Sequence, residues 1–345
     1  MGRVSGRELR ALPKVHAHVH LDGSYPLAAV QALAARQGAD FEVPDSFPDV
    51  WDFFEAYGTV PELVRSLDDL AGLCRALVHA EAALGVLYLE PAIEPQLYAR
   101  RLGGIDTVAR TMVDALAQGA EEAGIEVGAN LTVNTDQDEP IALELARTAA
   151  ALAGPGVSGG TGTGFWRGVT ALGTAGFVEP AGLARFVPVA RIAQDAGLQI
   201  VSHAGQTGGP DSILEALDVL GATRLSHGVR AVESDELVAR LAEQHIVCDI
   251  CPVSNVRLGV SESLAAHPGP LLIAAGVPVT LNADDPLWFG HSVLDQWRIA
   301  REVWGLDDRR LAGVSSGGML LPGMSPRTRS VYRDSLAAWF TAAPG

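Results

Sequence analysis

The segment Val15-His16-Ala17-His18-Val19-His20-Leu21-Asp22-Gly23 places three histidines at alternate positions and ends in a carboxylate and a glycine. In an extended strand alternate side chains share a face, so this spacing predicts His16, His18 and His20 on one side. Packing alone rarely calls for three neighbouring imidazoles, because each brings two ring nitrogens that need partners. The same shape, an apolar run with a polar ending, recurs along the chain. Strands are expected at 15–20, 86–90, 127–133, 168–172, 199–203, 225–227, 247–250 and 279–282. Helical periodicity is expected at 63–83, 105–122, 140–153, 183–196, 212–220, 236–243 and 263–275. Eight strands, each followed by helical sequence, predict an α/β fold, the parallel (β/α)8 TIM barrel, in one domain over 1–345. In such a barrel all the strands end at one mouth, and the polar endings meet there.

Two stretches interrupt the rhythm. Residues 44–62, with Phe47, Trp51, Phe53, Phe54 and Tyr57, form an insertion that would serve either as a lid or as packing. The glycine-rich 154–164 follows a helix and enters a strand, the reverse of a dinucleotide loop, and lacks the Lys-Ser/Thr of a P-loop.

Composition narrows the function. The chain has 345 residues, 48% of them hydrophobic, and its 25 Lys and Arg against 41 Asp and Glu leave a formal charge of −16. So acidic a chain without a dense basic run does not suit nucleic acid or an anionic membrane surface, so a small molecule is the expected partner. Cys74, Cys248 and Cys251 are an odd set, and Cys248 and Cys251 lie in a buried strand context, so they are expected as core residues without disulfides. No apolar leader follows the N-terminus and no run is long enough to cross a bilayer, so a cytoplasmic enzyme is expected.

Three further strand endings supply metal-binding chemistry: Val201-Ser202-His203-Ala204-Gly205, Leu225-Ser226-His227-Gly228, and Leu281-Asn282-Ala283-Asp284-Asp285-Pro286. His79, His245, His267 and His291 fall in helices or loops and are expected to be structural or exposed. A site of three histidines and one aspartate suits one divalent metal, zinc foremost, with iron as an alternative.

Together with Pro13-Lys14-Val15 before the first stretch and Cys251-Pro252-Val253-Ser254-Asn255-Val256-Arg257-Leu258-Gly259, these motifs resemble the adenosine deaminase family of the amidohydrolase superfamily. Order and spacing agree over roughly 11–310. The resemblance implies that His18, His20, His203 and Asp284 bind the metal, with His16 behind them where the family usually has an acidic residue. It implies that His227 orients and deprotonates the metal-activated water and that Asp285 hydrogen-bonds the nucleophile or the departing amine. It further implies that Asp22 meets a ribose hydroxyl, that the Gly176 backbone meets a purine edge, and that His20 also faces the substrate.

One departure bears on the mechanism. The family's His-Ala-Gly-Glu reads His203-Ala204-Gly205-Gln206 here. That glutamate protonates the ring nitrogen beside the attacked carbon, a contribution of roughly 10²–10⁴ in rate. A glutamine amide donates a hydrogen bond but gives up no proton at neutral pH. Gly173 stands where the family commonly has Asp, and Ala92 where an Arg would match. The changes spare the expected metal ligands. The expected activity is therefore hydrolytic deamination of a purine nucleoside or related amino-heterocycle, with a diverged hydrolase of a non-adenine substrate or a silent nucleoside binder as alternatives.

Overall fold

The structure, a computed structural model, describes residues 6–47, 49–154, 166–176 and 182–343. Its strands are β1 (Lys14–His16), β2 (Val86–Leu89), β3 (Ala92–Ile93), β4 (Glu126–Asn134), β5 (Trp166–Ala175), β6 (Gln199–Ala204), β7 (Arg224–His227), β8 (Val247–Ile250) and β9 (Val279–Leu281). All pair in parallel in the order β1-β2-β4-β5-β6-β7-β8-β9, with β3 continuing β2 against β4. This is the expected (β/α)8 barrel. The glycine-rich loop lies, from 155 onward, outside the described residues.

The barrel closes between β9 and β1 by an unusual join. Val19 and Asp284 form a single parallel bridge, and Asp284 N–H donates to His18 O at 3.2 Å. Below that bridge a side chain takes over from the ladder. Asn282 Oδ1 accepts from two consecutive amides, Ala17 N at 2.9 Å and His18 N at 3.1 Å. Two neighbouring amides aimed at one acceptor are the mark of a bulge, which shifts the in-out phase of the strand by one residue. Val15 and Ala17 accordingly pack into the barrel floor with Tyr88, Val247, Leu321, Met324 and Tyr332.

The phase shift corrects the expectation that His16 shares a face with His18 and His20. His16 points outward, where its Nδ1 meets Glu81 Oε2 at 2.8 Å on the helix Leu67–Ala83. Its Nε2 accepts the Ala283 amide at 3.0 Å, so Nδ1 must carry the proton and donate to the carboxylate. His16 thus ties the seam, at the amide adjoining Asp284, to the outer helix layer.

The aromatic insertion forms the helix Val50–Leu63, begun by a reciprocal Asp49/Asp52 capping box. Phe53 is buried and stacks on Phe289 at 5.3 Å between centroids, and Phe47 meets Trp288 edge-on. Both partners belong to the helix Pro286–Phe289 that follows Asp285, so the insertion packs directly beside the mouth. The expected helices at 63–83 and 263–275 start late, at Leu67 behind the Ser66 cap and at Gly269 behind Pro268.

Replacing His16 with alanine would leave Glu81 buried without its donor. The expected cost is about 1–3 kcal/mol in chemical denaturation, with the metal stoichiometry of the folded protein unchanged.

Candidate active site

Four side chains meet at the mouth: His18 and His20 beyond β1, His203 on β6 and Asp284 beyond β9. One ligand-type atom from each lies within 4.8 Å of all the others. Asp284 Oδ1 is 3.1 Å from His18 Nε2 and 3.3 Å from His20 Nε2, and the Nε2 atoms of His20 and His203 are 3.3 Å apart. The rings are held by their far nitrogens. His18 Nδ1 donates to Asp249 O at 3.1 Å, and His203 Nδ1 donates to Thr174 O. A carbonyl only accepts, so both rings carry hydrogen on Nδ1 and turn a bare Nε2 lone pair inward. Asp284 is kept in place by Ser254 Oγ, which donates to Oδ2 at 2.6 Å.

This is a buried convergence of electron-pair donors, and His18 Nε2 has no hydrogen-bond partner. The local field calls for positive charge. Burial alone would lower the His20 pKa, but Asp285, Asp284 and Glu94 overcome it and raise it to about 10. Burial would raise the Asp284 carboxyl, yet His18 and the other imidazoles hold it well below the usual range. Three imidazoles and a carboxylate in this arrangement fit a divalent ion of borderline softness.

Two backbone positions aim the cluster. His227 and Asp284 have φ of 71° and 63°, left-handed conformations that few residues with a side chain adopt. They turn these residues out of the strand direction and into the mouth.

Beneath the cluster lies a polar chain sealed inside the barrel. Asn282 Nδ2 donates to Thr280 Oγ1 at 2.7 Å, and Thr280 donates to Asp249 Oδ1 at 2.6 Å. Asp249 Oδ2 sits 3.0 Å from Arg224 Nε, and Arg224 pairs in turn with Glu90. Glu90 also accepts from Tyr88 at 2.5 Å and Thr170 at 3.0 Å. The chain therefore reaches His18 twice, through its amide by Asn282 and through its ring by the Asp249 carbonyl.

His227 Nε2 faces the cluster, 3.8 Å from Asp284 Oδ2 and without a hydrogen-bond partner. Its other nitrogen ends a directed chain. The Gly269 amide donates to His267 Nδ1 at 2.9 Å, so His267 must donate through Nε2 to Asn255 Oδ1 at 3.0 Å. Asn255 then offers its amide N–H to His227 Nδ1 at 3.2 Å, leaving the His227 hydrogen on Nε2. Burial lowers His267 to about 4 and holds His227 well below its usual value, so the chain stays neutral. His267, expected from sequence to be structural or exposed, is 3% exposed and sets the tautomer of a site residue.

Asp285 is buried beside Asp284, with Oδ1 unpartnered, and Gly23 lies so close that a Cβ there would fall 1.8 Å from it. Burial and then the Asp284 charge push Asp285 well above the carboxylate range. Asp22 is fully buried and accepts from the hydroxyls of Tyr98 and Tyr25; burial moves it up to about 6. Glu94, which sequence reasoning passed over, is also buried at the mouth and rises for the same reason to about 7. Gln206 is half-buried just past Gly205, whose φ is +67°. Gly176 follows β5 with φ +84°, and a Cβ there would strike Asn134. At Gly173 a side chain would meet Asn130 at 2.7 Å, so asparagine fills the space an aspartate would use.

Comparison with known proteins places the chain in a family. The Adenosine deaminase family profile matches residues 13–325, and the chain belongs to that family. It is 36% identical over 332 residues to an adenine deaminase of Chelativorans sp. (strain BNC1), covering 92% of this chain and 96% of that protein. It is 34% identical over 349 residues to an aminodeoxyfutalosine deaminase of Streptomyces coelicolor, covering 97% and 87%. The crystal structure of adenine deaminase from Arthrobacter aurescens superposes with a TM-score of 0.85 at 27% identity, covering 96% of this chain and 99% of that one.

Replacing Asn282 with alanine frees both amides of the bulge and the His18 backbone. Chelator competition is expected to show metal affinity about 10–100-fold weaker, with secondary structure retained.

Proposed function

We propose that this protein is a metal-dependent aminohydrolase that releases ammonia from an amino-substituted purine or a related heterocycle, with His18, His20, His203 and Asp284 holding one zinc ion. The convergence of those four donors on one small buried volume is the observation that carries it. When bound, such an ion supplies the Lewis acidity that brings a water molecule close to deprotonation near neutral pH.

The remaining roles follow from hydrogen-bond direction. With its hydrogen on Nε2, His227 serves as a donor toward the reacting centre, which supports an orienting and charge-stabilising part rather than the proton-abstracting part the family resemblance implied. Asp285, with a free Oδ1 aimed past Gly23, is the available acceptor for the proton of the nucleophile and can pass it to the departing amine. Gln206 faces the ring atom next to the attacked carbon. A ring nitrogen that already bears hydrogen meets its amide oxygen and needs no proton from the protein. Isoguanine has such an N–H; adenine does not. The relatives act on different compounds by name, an adenine deaminase and an aminodeoxyfutalosine deaminase at nearly equal identity, so side chains at the mouth set the substrate. Burial of all three thiols without a disulfide accords with a reducing cytoplasm.

An ammonia-release assay on the zinc-loaded enzyme tests this with adenine, adenosine and isoguanine, beside Gln206→Glu. Wild type is expected to favour the purine with the ring N–H, and Gln206→Glu to gain about 10²-fold or more on adenine or adenosine. Absence of ammonia from every aminopurine, for both proteins, would overturn the assignment.

A further inference from the structure

The loop that carries Gln206 is held from outside the mouth by a residue given no role so far. It reads Gln206-Thr207-Gly208-Gly209, and among the described residues no hydrogen bond reaches Gln206 itself, by its own amide N–H, its carbonyl or its side chain. Two successive glycines give that backbone little stiffness of its own. The direction in which Gln206 points therefore depends on how the chain on either side of it is fixed.

Arg230 fixes both sides. Its backbone N–H donates to Gly205 O at 2.9 Å, on the peptide that leads into Gln206. Its Nη1 donates to Thr207 O, one residue beyond Gln206. The guanidinium is itself gripped by Glu233, with Nε donating to Oε1 at 2.6 Å and Nη2 to Oε2 at 3.1 Å. A planar guanidinium held by two bonds at once keeps one orientation, so its remaining nitrogen is aimed. Gly209 packs over this pair, where a Cβ would lie 3.4 Å from Glu233 Oε2 and 3.5 Å from Arg230 Nη2. From the other side Ser212 Oγ accepts the Gly205 amide at 3.0 Å and donates to Gly209 O at 2.7 Å.

The ion pair is partly exposed, with side chains 35% and 44% accessible, so it contributes little to stability. What it supplies is geometry. Arg230 lies three residues past His227, in the short helix Val229–Glu233, and so ties the Gln206 loop to the segment that carries His227. Misplacing a group that acts on substrate by about 1 Å can cost roughly 10²-fold in rate.

We propose that Arg230, locked by Glu233, is a positioning residue that aims Gln206 at the substrate ring, acting through the loop backbone. This rests on the aminohydrolase assignment above and names the device that gives Gln206 its direction.

A double-mutant cycle tests it with wild type, Gln206→Glu, Arg230→Ala and the double variant, each zinc-loaded and assayed for ammonia release from adenine. Gln206→Glu reports where residue 206 points, because its gain on adenine needs a carboxyl within hydrogen-bond reach of the ring nitrogen. That gain, about 10²-fold in the wild-type background, is expected to fall to about tenfold or less beside Arg230→Ala. The loss should fall on kcat, with KM for adenine changed by less than about threefold. Glu233→Ala, which keeps the guanidinium but frees it, is expected to cut the gain in the same direction by a smaller factor. Thermal melts and zinc content of each variant check that the fold and metal site persist. A gain of equal size in both backgrounds, or no gain in either, would overturn the positioning role and leave ammonia release as separate support for the aminohydrolase. No ammonia from adenine, adenosine or isoguanine by any of the four proteins would remove both.

Discussion

Everything at the mouth of this barrel depends on one electrostatic constraint: lone pairs and a carboxylate are pressed together where water cannot screen them. His18 and His203 are forced by carbonyl acceptors to present bare Nε2 atoms, and Asp284 adds negative charge a few ångströms away. Such a set is repulsive on its own. A divalent cation would relieve that repulsion, and the surrounding structure keeps the four donors aimed together rather than apart.

The aim is enforced from below and from the side. The Glu90–Arg224–Asp249–Thr280–Asn282 chain fixes the first strand where it changes phase, and that change alone brings His18 and His20 into the barrel together. A buried ionic chain of this kind is a poor source of net stability, but it has few alternative arrangements and so specifies one. The Gly269–His267–Asn255 chain does the same for His227, since a backbone amide that can only donate fixes the direction of each later bond.

Much of this was legible in the sequence, for physical reasons that also explain the gaps. Barrel rhythm and polar strand endings are local patterns, so the fold and the gathering of His18, His20, His203, His227, Asp284 and Asp285 could be read from spacing and resemblance. The outward turn of His16 could not, because a bulge set by Asn282, some 265 residues away, decides it. His267 carried no signal either; its part exists only through contact with Asn255 and the Gly269 amide. Glu94 was passed over in the sequence, and only its burial near His20 and Asp22 distinguishes it. The replacement at Gln206 was visible at once, whereas the asparagine that fills the space beside Gly173 needed coordinates.

The mouth therefore divides into a cluster of His18, His20, His203 and Asp284 that fits a metal ion and a surrounding set of side chains, Gln206 among them, where the sequence departs from the motif it resembles. The claim that supports both is the single metal site. The most direct measurement is ammonia release by chelator-stripped enzyme titrated with zinc. Activity absent after stripping and restored in full at one equivalent per chain is the expected result. Turnover by the stripped enzyme, or a requirement for two equivalents, would contradict it.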